Sequence, residues 1–99
     1  MARHDFYRVD GHAGYLLDCQ ADTLSGLNTR FVVPLLPIDD APSRAKRLNP
    51  VFEVEGCELM MATQYAASVP VNILKDRRGS LADQHTAIVD AIDMLITGV

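Results

Sequence analysis

Tryptophan is absent and cysteine occurs only twice among these 99 residues. Cys19 and Cys57 are far apart, and two thiols without a C-x-x-C spacing do not make a zinc site. Each lies in an apolar strand pattern, where a reduced thiol behaves as a small hydrophobe. Basic residues are scarce too: nine Lys and Arg stand against thirteen Asp and Glu, for a net charge of -4. Nucleic-acid binders carry the opposite balance, because phosphate neutralisation drives their affinity. Direct contact with nucleic acid is therefore not expected, and a basic protein partner suits the chain better. No run approaches the roughly 20 apolar residues of a membrane span. The opening Met1, Ala2, Arg3, His4, Asp5 has no apolar signal core, so the cytoplasm is the expected compartment and no membrane partner is expected. A glycine loop for phosphate is missing. His4, His12 and His85 lack the spacing of metal ligands, so neither metal nor cofactor is expected. No nucleophile beside a base and no carboxylate pair announces itself, so no catalytic residue is assigned and the chain is expected not to be an enzyme.

What is abundant is apolar surface. Hydrophobic residues make up 48% of the chain, yet a domain this small buries only about 60–65% of the surface of its unfolded chain. A single domain over residues 1–99 is expected, with the surplus covered by a second copy.

The periodicity is that of short strands. Residues 5–9 form the first. Tyr15, Leu17 and Cys19 share one face of the second by the two-residue period. Residues 22–28 are a polar connection carrying Leu24 and Leu27. Residues 30–37 are apolar almost throughout, which implies burial on both faces. Pro34 inside this run cannot donate a ladder hydrogen bond and must sit at an edge or a bulge. Residues 39–49 are a loop with Arg44, Lys46 and Arg47. Glu55 and Gly56 between two apolar runs signal a tight hairpin. Residues 69–74 read as the last strand and residues 75–79 as a second basic loop.

Ser80 opens the expected helix as its cap, with Asp83 three positions on. Leu81, Ile88, Ile92 and Leu95 share one stripe, with His85 between them. Asp83 and Asp90 fall on the opposite, solvated side. Gly98 is the stop. The sum is about five to seven short strands and one C-terminal amphipathic helix, hence a mainly β fold: a small antiparallel sheet or SH3-like barrel with the helix docked on it.

The chain closes on Met94, Leu95, Ile96, Thr97, Gly98 and Val99, apolar where most chains fray into polar tails. Either this end folds back on the core or it projects into another protein. Burying one valine side chain is worth about 1.5–3 kcal/mol, so a projecting tip could dominate a small interface. Asp93, one turn from Asp90, lies near enough to the tip to meet a basic group.

Several segments resemble the CcdB family of toxins from toxin–antitoxin modules, in order and across nearly the whole chain. Phe6 and Tyr7 stand near the start. Leu17, Asp18, Cys19, Gln20, Ala21 and Asp22 are similar to the family's FVDVQSD stretch. Arg30, Phe31, Val32, Val33, Pro34 and Leu35 resemble its R-x-V-I-P-L strand. Ala67, Ser68, Val69, Pro70 and Val71 match ASVPV letter for letter. Ala91, Ile92, Asp93, Met94 and Leu95 lead into Gly98 and Val99, similar to its glycine-isoleucine end.

The resemblance implies an SH3-like barrel of the CcdB/MazF kind, with a small extra sheet, a C-terminal helix and a homodimer. It implies a topoisomerase poison that binds the A subunit of DNA gyrase and traps the gyrase–DNA cleavage complex, neutralised by a CcdA-type antitoxin. By position, gyrase binding falls to Thr97, Gly98 and Val99, with Ile96, Asp93, Thr23, Leu24 and Tyr7 near that surface. Thr97 stands where the family often has tryptophan, which removes a stacking surface. Two alternatives remain. A MazF-like mRNA endoribonuclease would use Arg30 with Thr29, or His85, as acid–base groups. An inactive homologue would only bind an antitoxin.

Overall fold

The computed structural model describes residues 2–98. Seven strands precede one α-helix: β1 (Asp5–Arg8), β2 (Tyr15–Asp18), β3 (Thr29–Pro37), β4 (Val51–Val54), β5 (Cys57–Met61), β6 (Ala67–Pro70), β7 (Asp76–Ser80) and α1 (His85–Thr97). All pairings are antiparallel. The order across the sheet is β4-β5-β3-β2-β1-β7, with β6 branching from β3. The result is the mainly β, curled half-barrel expected of an SH3-like fold.

β3 organises the sheet because it has two sets of partners on one side. Its first half pairs with β6, from Thr29↔Pro70 to Val32↔Ala67. Its second half pairs with β5, from Leu35↔Met61 to Pro37↔Leu59. Pro34 sits where the partner changes. Its carbonyl accepts from the Ala62 N–H at 2.9 Å, so its missing donor faces the gap between β6 and β5. The proline is tolerated in a central strand because that strand has a local edge there.

The two-residue period sends alternate side chains into two cores. Phe6, Leu17, Val33, Leu35 and Met61 pack with Ile88 and Ala91 of α1 on one face. Tyr7, Leu16, Val32 and Leu74 pack on the other. Both faces of β2 are covered, which explains why its apolar residues do not alternate with polar ones. The β4–β5 turn has positive φ at both Glu55 (51°) and Gly56 (81°), the backbone of a type I′ hairpin.

Three segments differ from the sequence reading. Residues 75–79, expected as a basic loop, supply most of β7. The strand is held by its ladder to β1 and by an Arg77–Asp5 ion pair at 3.0 Å; it has no apolar face for periodicity to detect. The expected last strand ends at Pro70, and Val71–Ile73 is a 3-10 turn. The helix begins at His85 rather than after Ser80. The Ser80 hydroxyl accepts from the Ala82 N–H at 3.1 Å, closing a tight local turn, and a 3-10 turn (Ala82–Gln84) intervenes without a side-chain cap. Leu81 is buried but precedes the helix. Among the described residues no helix is long and apolar enough to cross a membrane.

Candidate functional site

α1 is anchored along only its first half. Ile88 and Ala91 are fully buried, with Ala87 and Ile92 packed beside them. Every described residue from Asp93 onward is exposed. Met94 and Leu95 are 36% and 43% exposed, and Ile96 is 72% exposed. The apolar stripe therefore outlasts the surface it packs on. Ile96 has most of its surface in solvent, while Met94 and Leu95 are only partly uncovered.

That last turn is well formed. The Thr97 hydroxyl donates to the Asp93 carbonyl at 2.7 Å. The Gly98 N–H donates to the Met94 carbonyl at 3.1 Å. Gly98 has φ 72° and ψ 16°, a left-handed conformation that glycine reaches without a side-chain penalty. Gly98 thus ends the helix as the sequence predicts. Val99, the last of the expected contact residues, lies outside the described residues. The Asp93 side chain is exposed on the same terminal segment as Ile96, Thr97 and Gly98.

The other expected contact residues divide. Thr23 and Leu24 lie on an exposed 3-10 turn, Asp22–Leu24, and Leu24 is 50% exposed. That turn is tied to the start of α1. Asp22 accepts from the Arg3 N–H at 2.8 Å, and the adjacent His4 ring lies 5.1 Å from that of His85. At 1.5 Å per residue, Thr97 is about 18 Å further along the helix. One protomer therefore does not bring Thr23 and Leu24 to the tip. Tyr7 needs a correction: expected near the partner surface, it is 3% exposed and packs with Leu16, Val32 and Leu74. Its position on β1 points inward, and burial, with the Asp5 and Asp18 carboxylates, pushes its phenol pKa up.

A buried ion pair joins β2 and β3. Arg30 is 1% exposed and Asp18 fully buried, with Nε and Oδ2 3.6 Å apart. They project from β3 and β2 on the face that holds Tyr7. In the sequence each is a charged residue inside an apolar run. Burial raises the Asp18 pKa, against the lowering by the Gln20 N–H and the Arg30 guanidinium. Arg30, a candidate acid–base group for a nuclease, is thus sealed inside the sheet.

A concave region of about 300 Å³ lies by the β4–β5 turn and includes Arg8, Tyr15, Glu55 and Cys57. The Tyr15 hydroxyl donates to Glu55 Oε2 at 2.5 Å, which pins β2 to the hairpin and raises the Tyr15 pKa. Cys57, read as a small hydrophobe, is exposed, whereas Cys19 is buried. Burial pushes the Cys19 thiol up to about 12. Among the described residues no cluster of three or more His, Cys, Asp or Glu could hold a metal ion.

The fold is similar to that of an endoribonuclease solved in complex with its cognate antitoxin from a Mycobacterial species. That likeness has a TM-score of 0.73 at 13% identity and covers 97% of this chain and 94% of the other. At such identity it speaks for the shared architecture alone. The CcdB protein family matches residues 3–98; the chain belongs to the CcdB family, toxins of toxin–antitoxin systems.

Proposed function

We propose that this chain acts by binding and not by catalysis: it engages the A subunit of DNA gyrase through the projecting end of α1 and holds the gyrase–DNA cleavage complex open. The observation that carries this reading is the exposed terminal turn, with Ile96 at 72% exposure on a helix anchored by Ile88 and Ala91. A tip that is already helical and capped loses little conformational freedom on docking, so more of its burial appears as affinity. The Asp93 carboxylate beside it suits a basic group on the partner. Further apolar residues, among them Leu27 at 51% and Tyr65 at 52% exposure, favour a homodimer that covers part of the remaining surface. Two copies would present two tips. In this reading a CcdA-type antitoxin competes for the toxin in the cytoplasm.

The experiment is deletion of Gly98 and Val99. The shortened protein should keep its fold and dimer but lose the ability to trap cleaved DNA with gyrase. Full trapping by the shortened protein would refute the site.

The endoribonuclease reading is weaker here. Arg30 is buried against Asp18, so it cannot reach an RNA phosphate without unfolding the sheet around it. His85 is exposed, but its ring is packed on His4.

A further inference from the structure

His4 has no part in the tip, yet it is built into the fold at some cost. Its backbone is left-handed, with φ 72°, a conformation that costs a non-glycine residue about 1 kcal/mol or more. Its N–H donates to the Asp18 carbonyl at 2.5 Å, and its carbonyl accepts from the Leu81 N–H at 2.8 Å. Residue 4 thereby ties the start of the chain to the end of β2 and to the segment that leads into α1. Its side chain is 2% exposed and touches His85, the first residue of α1, with ring centroids 5.1 Å apart. The His4 Nε2 atom is buried without a hydrogen-bond partner.

The groups facing this imidazole come from three segments. Arg3 lies next to it in the chain, His85 comes from α1 and Asp22 from the turn after β2. Two of the three disfavour a positive charge there. The third, Asp22, favours one, but its carboxylate already accepts from the Arg3 N–H. A bound metal cation does not suit the pair, since Arg3 stands beside it and no third ligand group completes a site among the described residues.

We propose that the His4–His85 contact is an acid-sensitive latch: it holds the N-terminal segment against the root of α1 while the buried His4 ring is neutral and releases it when that ring protonates. A proton on His4 puts a charge in the interior with no acceptor at Nε2 and with Arg3 and His85 beside it. Burial, Arg3 and His85, in that order, lower its pKa from the ordinary 6.5. A histidine so shifted does not alter stability well above 6.5 and removes stability as pH falls through that value toward the folded pKa. Release frees the Leu81 N–H and loosens the root of the helix that carries the tip. Any consequence for gyrase rests on the function proposed above; the latch itself concerns the protein alone.

The test uses NMR on the full chain. The His4 ring should titrate below the ordinary 6.5, and His85→Gln, at an exposed position, should move the His4 midpoint upward. The protection factor of the Leu81 amide should fall about fivefold or more between about pH 7.5 and about pH 5. That of the Met61 amide, which donates to Pro50 at 2.9 Å, should change less, and His85→Gln should blunt the Leu81 response. A His4 midpoint at or above the ordinary value, or equal protection of Leu81 at both pH values, overturns the latch. These readouts need no gyrase, so failure to trap cleaved DNA at neutral pH counts against the proposed function and leaves the latch standing.

Discussion

Replacing Ile96 with alanine separates what the tip does for the protein from what it does for a partner. Ile96 is 72% exposed, so the fold gains little from it. Fully burying an isoleucine side chain is worth about 1.5–3 kcal/mol. With some seven-tenths of that surface still available, docking can draw about 1–2 kcal/mol from this residue. Ile96→Ala should therefore weaken binding to the gyrase A subunit by about 5- to 30-fold. Folding stability should move by no more than about 0.5 kcal/mol, because alanine is the better helix former at an exposed position. Isothermal calorimetry against the A subunit reads the first quantity, and urea unfolding of the toxin alone reads the second. A loss of about 2 kcal/mol or more in stability, the size of a core truncation, would mean that Ile96 packs on its own subunit. Unchanged affinity would remove it from the interface.

Other substitutions probe the framework that holds the tip. A Cβ at Gly79 would stand 2.6 Å from the Phe6 ring, so Gly79→Ala should destabilise by about 1–3 kcal/mol in thermal or urea unfolding, as overpacking does. Asp18→Ala strands the buried Arg30 charge and should cost about 3–5 kcal/mol, whereas Asp18→Leu combined with Arg30→Met should cost less; a double-mutant cycle in urea measures both. With a thiol reagent near neutral pH, Cys57 should react in the native protein. Cys19, whose pKa is held at about 12, should react only as the protein unfolds.

Much of this architecture was legible in the residues, and the reasons are local. The β4–β5 hairpin is announced by Glu55 and Gly56, because a turn needing positive φ twice admits few residues. β3 is announced by its unbroken apolar run, and its proline marks the local edge where β6 gives way to β5. The apolar end of α1 is visible in the residues, but they leave open whether it folds back or projects, and it is the structure that leaves Ile96 exposed. β7 was not legible, since Asp76, Arg77, Arg78, Gly79 and Ser80 carry no apolar period. It is a strand only because β1 offers a ladder and Asp5 an ion pair. Leu81 continues the apolar stripe and so points to an earlier helix start, but Ser80 uses its hydroxyl on a tighter turn and α1 begins at His85. Tyr7 shows a limit of carrying roles over by position: which way a strand residue points depends on register, and here the register turns Tyr7 inward. The Asp18–Arg30 pair and the His4 contact join residues distant in sequence, and no spacing rule predicts them.

The most direct measurement incubates the purified protein with gyrase and supercoiled plasmid, and in parallel with RNA. Linear DNA released on denaturing the gyrase complex, with the RNA intact, is the predicted result. Intact plasmid together with cleaved RNA would contradict the account.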